Sequence, residues 1–186
     1  MNPSSWPRGI PPLDDPAFCA LGSKDSLCET IRDESDPVRR STAIRALVAL
    51  EIATPRRDGR SERLSHILET IAIDPNQPNL VREAAVTGLP FVSIERARAV
   101  LPSLLGGAPL RAKAIDLLEA IHFLEKCAAA MPSERALGAN HALGELRSYL
   151  TGRIFELVAD PATSPEERMR GQVILLSDGE RLKTRA

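Results

Sequence analysis

Three histidines (His66, His122, His141) and three cysteines (Cys19, Cys28, Cys127) are this chain's best-suited side chains for metal binding or nucleophilic chemistry. Helical metal sites place ligands at i and i+3 or i+4, and His141 with Glu145 keeps that spacing. No third ligand accompanies the pair, so a surface histidine beside a glutamate is expected. His122 and Cys127 are five apart and fall on different helix faces, and Cys127 is expected as a small core residue. His66, between Leu64 and Ile67, is expected at a seam between helices. The sequence holds no GxxxxGK or GxGxxG phosphate loop, and neither a GxSxG elbow nor an HExxH motif. Asp14–Asp15 and Glu166–Glu167 are paired carboxylates, but they stand in a leader and in a helix first turn. Solvent or the helix dipole accounts for them there. No catalytic residue, metal or cofactor is expected, and the chain reads as a non-enzyme.

Charge is the next candidate for function. Arg56, Arg57, Arg60 and Arg63 lie within eight residues, a density that suits phosphate or an acidic partner. Asp58 and Glu62 sit among them, and a solvated loop between helix pairs is the plainer reading. Over the whole chain 24 Lys+Arg meet 25 Asp+Glu, for a net charge of −1. Such a chain has no global field to draw it to nucleic acid or an anionic membrane. No apolar stretch is long enough to span a bilayer, and no basic segment leads into an apolar run near Met1. The odd cysteine count gives no disulfide framework. A soluble, cytoplasmic protein is expected, with no membrane contact and no evident small-molecule substrate.

The elements that carry these residues are helical. Aromatic residues make up only 3% of the chain, which disfavours a β-sandwich or barrel. Apolar residues recur at helical spacing and the breaks fall at Pro or Gly. Helices are predicted over 24–33, 37–53, 61–73, 79–92, 94–105, 109–130, 133–158 and 165–176. Residues 1–16 hold five prolines and read as an extended leader, with Trp6 docked on the body. Residues 17–176 read as one domain and 177–186 as a polar, frayed tail. Gly138, Gly144 and Gly152 are expected to bend or break the long 133–158 segment.

Four helices open on similar text. Arg40-x-x-Ala43-Ile44-x-x-Leu47 returns as Arg82-x-x-Ala85-Val86-x-x-Leu89 and as Arg111-x-x-Ala114-Ile115-x-x-Leu118. Arg168-x-x-Gly171-x-x-x-Leu175 is a weaker copy. Positions 3, 4 and 7 after each Arg share one helical face, with the small residue placed where a neighbouring helix comes close. The phrases DPVRRSTAIRAL, NLVREAAVTGL and APLRAKAIDLL resemble second helices of the HEAT-repeat family and its bacterial HEAT-like relatives. That resemblance covers about residues 24–176. It implies an all-α, short right-handed, armadillo-like α-solenoid of about four helix pairs. It also implies that each repeated Arg pairs with an acidic turn residue, which nominates Asp36, Asp74 and Asp160. Gly106-Gly107-Ala108-Pro109 offers Arg111 no local acid, so Arg111 is expected to reach a neighbouring repeat or a ligand.

Residues one and five after each Arg lie off the apolar face and are the expected surface positions: Ser41 and Arg45, Glu83 and Thr87, Ala112 and Asp116. The expected function is a bacterial scaffold that binds a protein partner on its concave helical face. Adaptor, regulatory, immunity and secretion-associated or effector-like roles all fit. Arg45, Glu83 and Asp116, together with Arg56, Arg57, Arg60 and Arg63, are the candidate contacts. Some HEAT-like proteins resemble alkylpurine DNA glycosylases, which makes nucleic-acid binding the alternative. Those proteins need a basic groove and aromatic residues, and this chain offers a single Trp. A bilin-lyase-like ligand cleft, another role implied by HEAT-like proteins, is disfavoured by the same aromatic poverty.

Overall fold

The computed structural model describes residue 10 and residues 24–53, 60–106, 110–129 and 133–183. Among the described residues the chain is all-α, with eight helices and no strand. They are α1 (Lys24–Asp33), α2 (Pro37–Ala53), α3 (Arg60–Ile73), α4 (Asn79–Val92), α5 (Ile94–Leu104), α6 (Lys113–Ala129), α7 (Ser133–Ala159) and α8 (Pro165–Lys183). Proline and glycine punctuation locates most of these limits. Of the leader only Ile10 is described, and it is buried; Trp6 lies outside the described residues.

Three features differ from the sequence reading by more than a residue. Helix α6 begins at Lys113 rather than 109, because residues 110–112 close tight turns. There the N–H groups of Lys113 and Ala114 donate three residues back, to Leu110 and Arg111 carbonyls, at 3.0 and 3.2 Å. Helix α7 is continuous through Gly144 and Gly152, where a Cβ would meet nothing within 4 Å. Helix α8 runs past 176 to Lys183, so Ser177–Lys183 are helical rather than frayed.

The chain's contacts fall into two compact units, Met1–Leu101 and Pro102–Ala186. In the first, α4 packs against both α2 and α3, and α1 packs against α2. In the second, α7 lies between α6 and α8, and α6 also touches α8. The repeated phrase supplies the core of both. Ala43, Ile44, Leu47, Ala85, Val86, Leu89, Ala114, Ile115 and Leu118 are all buried. The small residue marks close approach, most plainly in the fourth copy. A Cβ at Gly171 would stand 2.7 Å from Val158 Cγ2 and 3.3 Å from Ile154 Cγ2. Gly88 meets the same constraint in the first unit, 2.6 Å from Val48 Cγ2. Ser41 and Thr87, expected at the surface, are buried instead. Helices α2 and α4 each pack against two neighbours, so their buried faces are too wide to leave those positions in water.

The arginines of the phrase are structural, but three of the four bind carbonyls rather than acids. Arg40 Nε donates to Ile31 O in the last turn of α1 (3.1 Å). Arg82 Nε donates to Ala72 O in the last turn of α3 (3.2 Å). Arg168 donates to the Thr163, Pro161 and Asp160 carbonyls at 3.1, 3.3 and 3.4 Å. These groups lie at helix ends, where carbonyls lack intrahelical partners. The acids nominated for them close the turns instead. Asp36 accepts from the Val38 N–H (2.9 Å) as the N-cap of α2, with Pro37 following it. Asp74 and Asp160 open matching Asp-Pro turns, accepting from the N–H two residues on, Asn76 and Ala162, at 2.9 and 2.8 Å. Arg111 follows the other expectation and reaches outward, to Asp160 Oδ2 and Thr163 Oγ1.

Two tests follow from this packing. Gly88→Ala should lower the unfolding free energy by about 1–2 kcal/mol, because a methyl overlaps Val48. Gly152→Ala, with open space around it, should raise it by about 0.5–1 kcal/mol. Denaturant titration of both variants reads the contrast. The second test is acid titration. The Ala162 N–H, and after it the Arg111 guanidinium, hold the Asp160 carboxyl below the ordinary carboxylate range. Its stabilisation is therefore complete above the unfolded value, about pH 3.9, and is lost as the pH falls through the lower folded value. Asp160→Asn should flatten the loss of stability below about pH 4.

Candidate interaction surface

The second unit is stitched by polar contacts that cross its three helices. Asp116 on α6 receives Arg170 Nη2 of α8 at 2.6 Å, and the carboxylate raises the Arg170 guanidinium above its ordinary value. Glu125 on α6 meets Arg147 on α7 at 3.2 Å. Deepest is a cluster drawn from all three helices. His122 Nε2 of α6 lies 2.8 Å from Asp178 Oδ1 of α8, and both side chains are buried. Thr151 of α7 donates its hydroxyl to Asp178 Oδ2 at 3.2 Å. In this cluster the carboxylate sits between the histidine and the hydroxyl. The carboxylate accepts from the hydroxyl and pairs with the histidine ring. It locks helices together.

Those contacts set the rotation of α8. Arg170, Gly171, Ile174 and Asp178 face inward, and the opposite face carries Met169, Val173 and Leu176 at i, i+4 and i+7. These three are 65%, 62% and 72% exposed, and Phe155 on α7 of the same unit is 59% exposed. Single exposed apolar residues are ordinary, whereas a contiguous apolar row on one helix is less common on a soluble surface. The sequence reading missed this surface. Its spacing was visible, but periodicity alone does not say whether an apolar row faces the core or solvent. It missed the His122–Asp178 pair for a different reason: the partners are 56 residues apart and neither carries a motif.

The residues singled out from sequence are dispersed. Arg56 and Arg57 lie outside the described residues, as does the side chain of Arg60. Arg63 is exposed on α3, while Arg45 on α2 and Glu83 on α4 are half-buried, all in the first unit. Asp116 belongs to the second unit, and its carboxylate is engaged by Arg170 and Lys113. His141 is an exposed residue 3.6 Å from Glu145, as expected. His66 is exposed on α3 rather than set in a seam, because α3 packs on α4 through Leu64, Leu68 and Ile71, which leaves 66 on the far side. Cys127 is half-buried, and burial pushes its thiol up, away from a reactive thiolate. Among the described residues no group of three His, Cys, Asp or Glu is placed to hold a metal. A cleft of about 430 Å³ in the first unit is lined by Glu62, Ser65, Val92, Ser93, Glu95 and Arg96. Its arginine is bound to Glu69, so the cleft presents carboxylates without organised chemistry.

No family model, no curated protein and no solved structure matches this chain.

Asp178 tests the polar cluster. Asp178→Ala removes the acceptor of two buried side chains and should lower the unfolding free energy by about 3 kcal/mol. A thermal or denaturant melt checks it.

Proposed function

We propose that this chain is a non-catalytic protein-interaction module, and that its partner packs on the outer face of α8. The observation that carries the reading is the row Met169, Val173 and Leu176, apolar and exposed along almost two turns of one helix. Covering such a row removes apolar surface from water, at roughly 25 cal/mol per Å². Helical repeats of the HEAT type, which the Arg-Ala-Ile-Leu phrases resemble, commonly use helix faces in this way. The near-zero net charge favours a protein partner over a phosphate backbone.

Affinity purification with mass spectrometry of co-eluting chains tests the reading. A stoichiometric protein should be recovered with the native chain and lost with Val173→Lys. Variants of Arg45 or Glu83, in the other unit, should retain it. Recovery of nucleic acid alone, with steeply salt-sensitive binding to duplex DNA, overturns the reading.

A further inference from the structure

We propose that the His122–Asp178 pair is a proton-linked latch: His122 stays protonated through neutral pH, and loss of that proton at alkaline pH weakens the seating of α8 on α6 and α7. The proposal concerns the inner side of α8 and is independent of what meets its outer face. Its basis is a carboxylate in the core whose cationic counterpart is an imidazole ring. The side chains of His122 and Asp178 are 5% and 4% exposed, with Nε2 and Oδ1 2.8 Å apart. Thr151 donates to Oδ2 at 3.2 Å, so Asp178 accepts at both oxygens and the proton belongs on the ring. Leu118, Ile154 and Ile174, each one turn from a member of the cluster on its own helix, are buried.

Among the described residues no Lys or Arg bonds to Asp178. On α6, Glu119 and Glu125 stand three residues before and after His122, and Lys126, one turn after it, is exposed. On α7, Arg147 lies one turn before Thr151 and is bonded to Glu125, while Arg153 holds Glu156 and the Leu105 carbonyl. On α8, Arg170 is bonded to Asp116 and Glu180 is exposed. The side chain of Arg181, also on α8, lies outside the described residues. With the ring protonated the pair is neutral as a whole. With the ring neutral, a carboxylate charge stands in the core with two uncharged donors, and a buried charge without a counter-charge is costly.

The unfolded chain has no such constraint. Its histidines lose their protons near pH 6.5, about the ordinary value. Between about pH 4 and 6.5 the pair holds one proton whether the chain is folded or not, and the latch contributes fully. Above about pH 6.5 the folded chain holds one proton more than the unfolded chain, so stability falls as the pH rises through the folded pair's higher value. Asp178 comes from α8, and His122 and Thr151 from α6 and α7, so what the proton stabilises is one helix seated on two others.

Proton NMR of the full chain from about pH 5 to 9, in buffer and in concentrated urea, tests this, with His122→Gln assigning the resonance. The His122 ring should titrate at higher pH in the folded chain than in urea. Asp178→Asn, which offers a neutral acceptor, should remove that difference. Denaturant unfolding over the same range reads the linkage. Above about pH 6.5 the wild-type folding constant should fall by up to about tenfold per pH unit relative to His122→Gln, which keeps an N–H donor but has no proton to lose. A His122 ring that is neutral at about pH 6, or that titrates no higher folded than unfolded, overturns the proposal. A wild-type pH slope equal to that of His122→Gln also overturns it. If His122→Gln does not fold, the wild-type resonance decides alone, assigned by elimination with His66→Gln and His141→Gln at two exposed positions.

Discussion

A helix ends with carbonyls that its own backbone cannot satisfy, and in this chain arginines from elsewhere in the fold repeatedly satisfy them. Arg40 reaches Ile31 O, Arg82 reaches Ala72 O, and Arg153 reaches Leu105 O. Arg168 gathers three carbonyls of the turn before its own helix. In the first two cases the donor stands in the opening turn of a core helix and the acceptor in the closing turn of an earlier one. That contact fixes where the second helix starts and how it is rotated. The positions three, four and seven residues later share the face that the same phase turns to the core. Ala, Ile or Val, and Leu fall on the core in the same phase that the guanidinium contact fixes.

This explains why the repeated phrase was the most legible part of the sequence. It couples a polar anchor to an apolar face at fixed spacing, and both halves follow from helix geometry alone. The phrase was misread at one point: Arg40 and Arg82 were expected to bind Asp36 and Asp74. Those acids sit in the same turns, but their oxygens are taken by local N–H groups, at Val38 and Asn76. A short side chain in a turn bonds its own backbone more readily than a distant guanidinium. Helix starts were legible from Pro37 and Pro165. The capping box at the start of α8, where Ser164 Oγ accepts from the Glu167 N–H and donates to its carboxylate, was equally available in the text.

The candidate surface was legible in composition but not in orientation. Met169, Val173, Ile174, Leu175 and Leu176 form an apolar cluster that any periodic reading assigns to a core. The assignment depends on which side of α8 meets α6 and α7, and that is decided by contacts of very long range. Gly171 must face Val158, Arg170 must meet Asp116, and Asp178 must meet His122. Each is 13 to 56 residues from its partner, and none belongs to a local motif. Of the four arginines at 56–63, only Arg63 has a described side chain, and it is exposed on α3. Asp116, nominated as a partner contact, is held inside its own unit by Arg170.

Orientation is also what keeps the apolar row outside. Turning α8 by half a revolution would bury Met169, Val173 and Leu176, a gain of roughly 1.5–3 kcal/mol for each. The same turn would carry Arg170 away from Asp116 and Asp178 away from His122 and Thr151. It would also drive a side chain into the gap that only Gly171 fits. The His122–Asp178 contact is buried, so breaking it leaves polar groups in the core without partners, whereas the partly exposed Arg170–Asp116 pair contributes less. The inner polar contacts and the close approach at Gly171 together hold the apolar row on the outer side. A helix with core contacts on one side and apolar residues on the other has two faces to cover. The fold covers the first and leaves Met169, Val173 and Leu176 in water on the second.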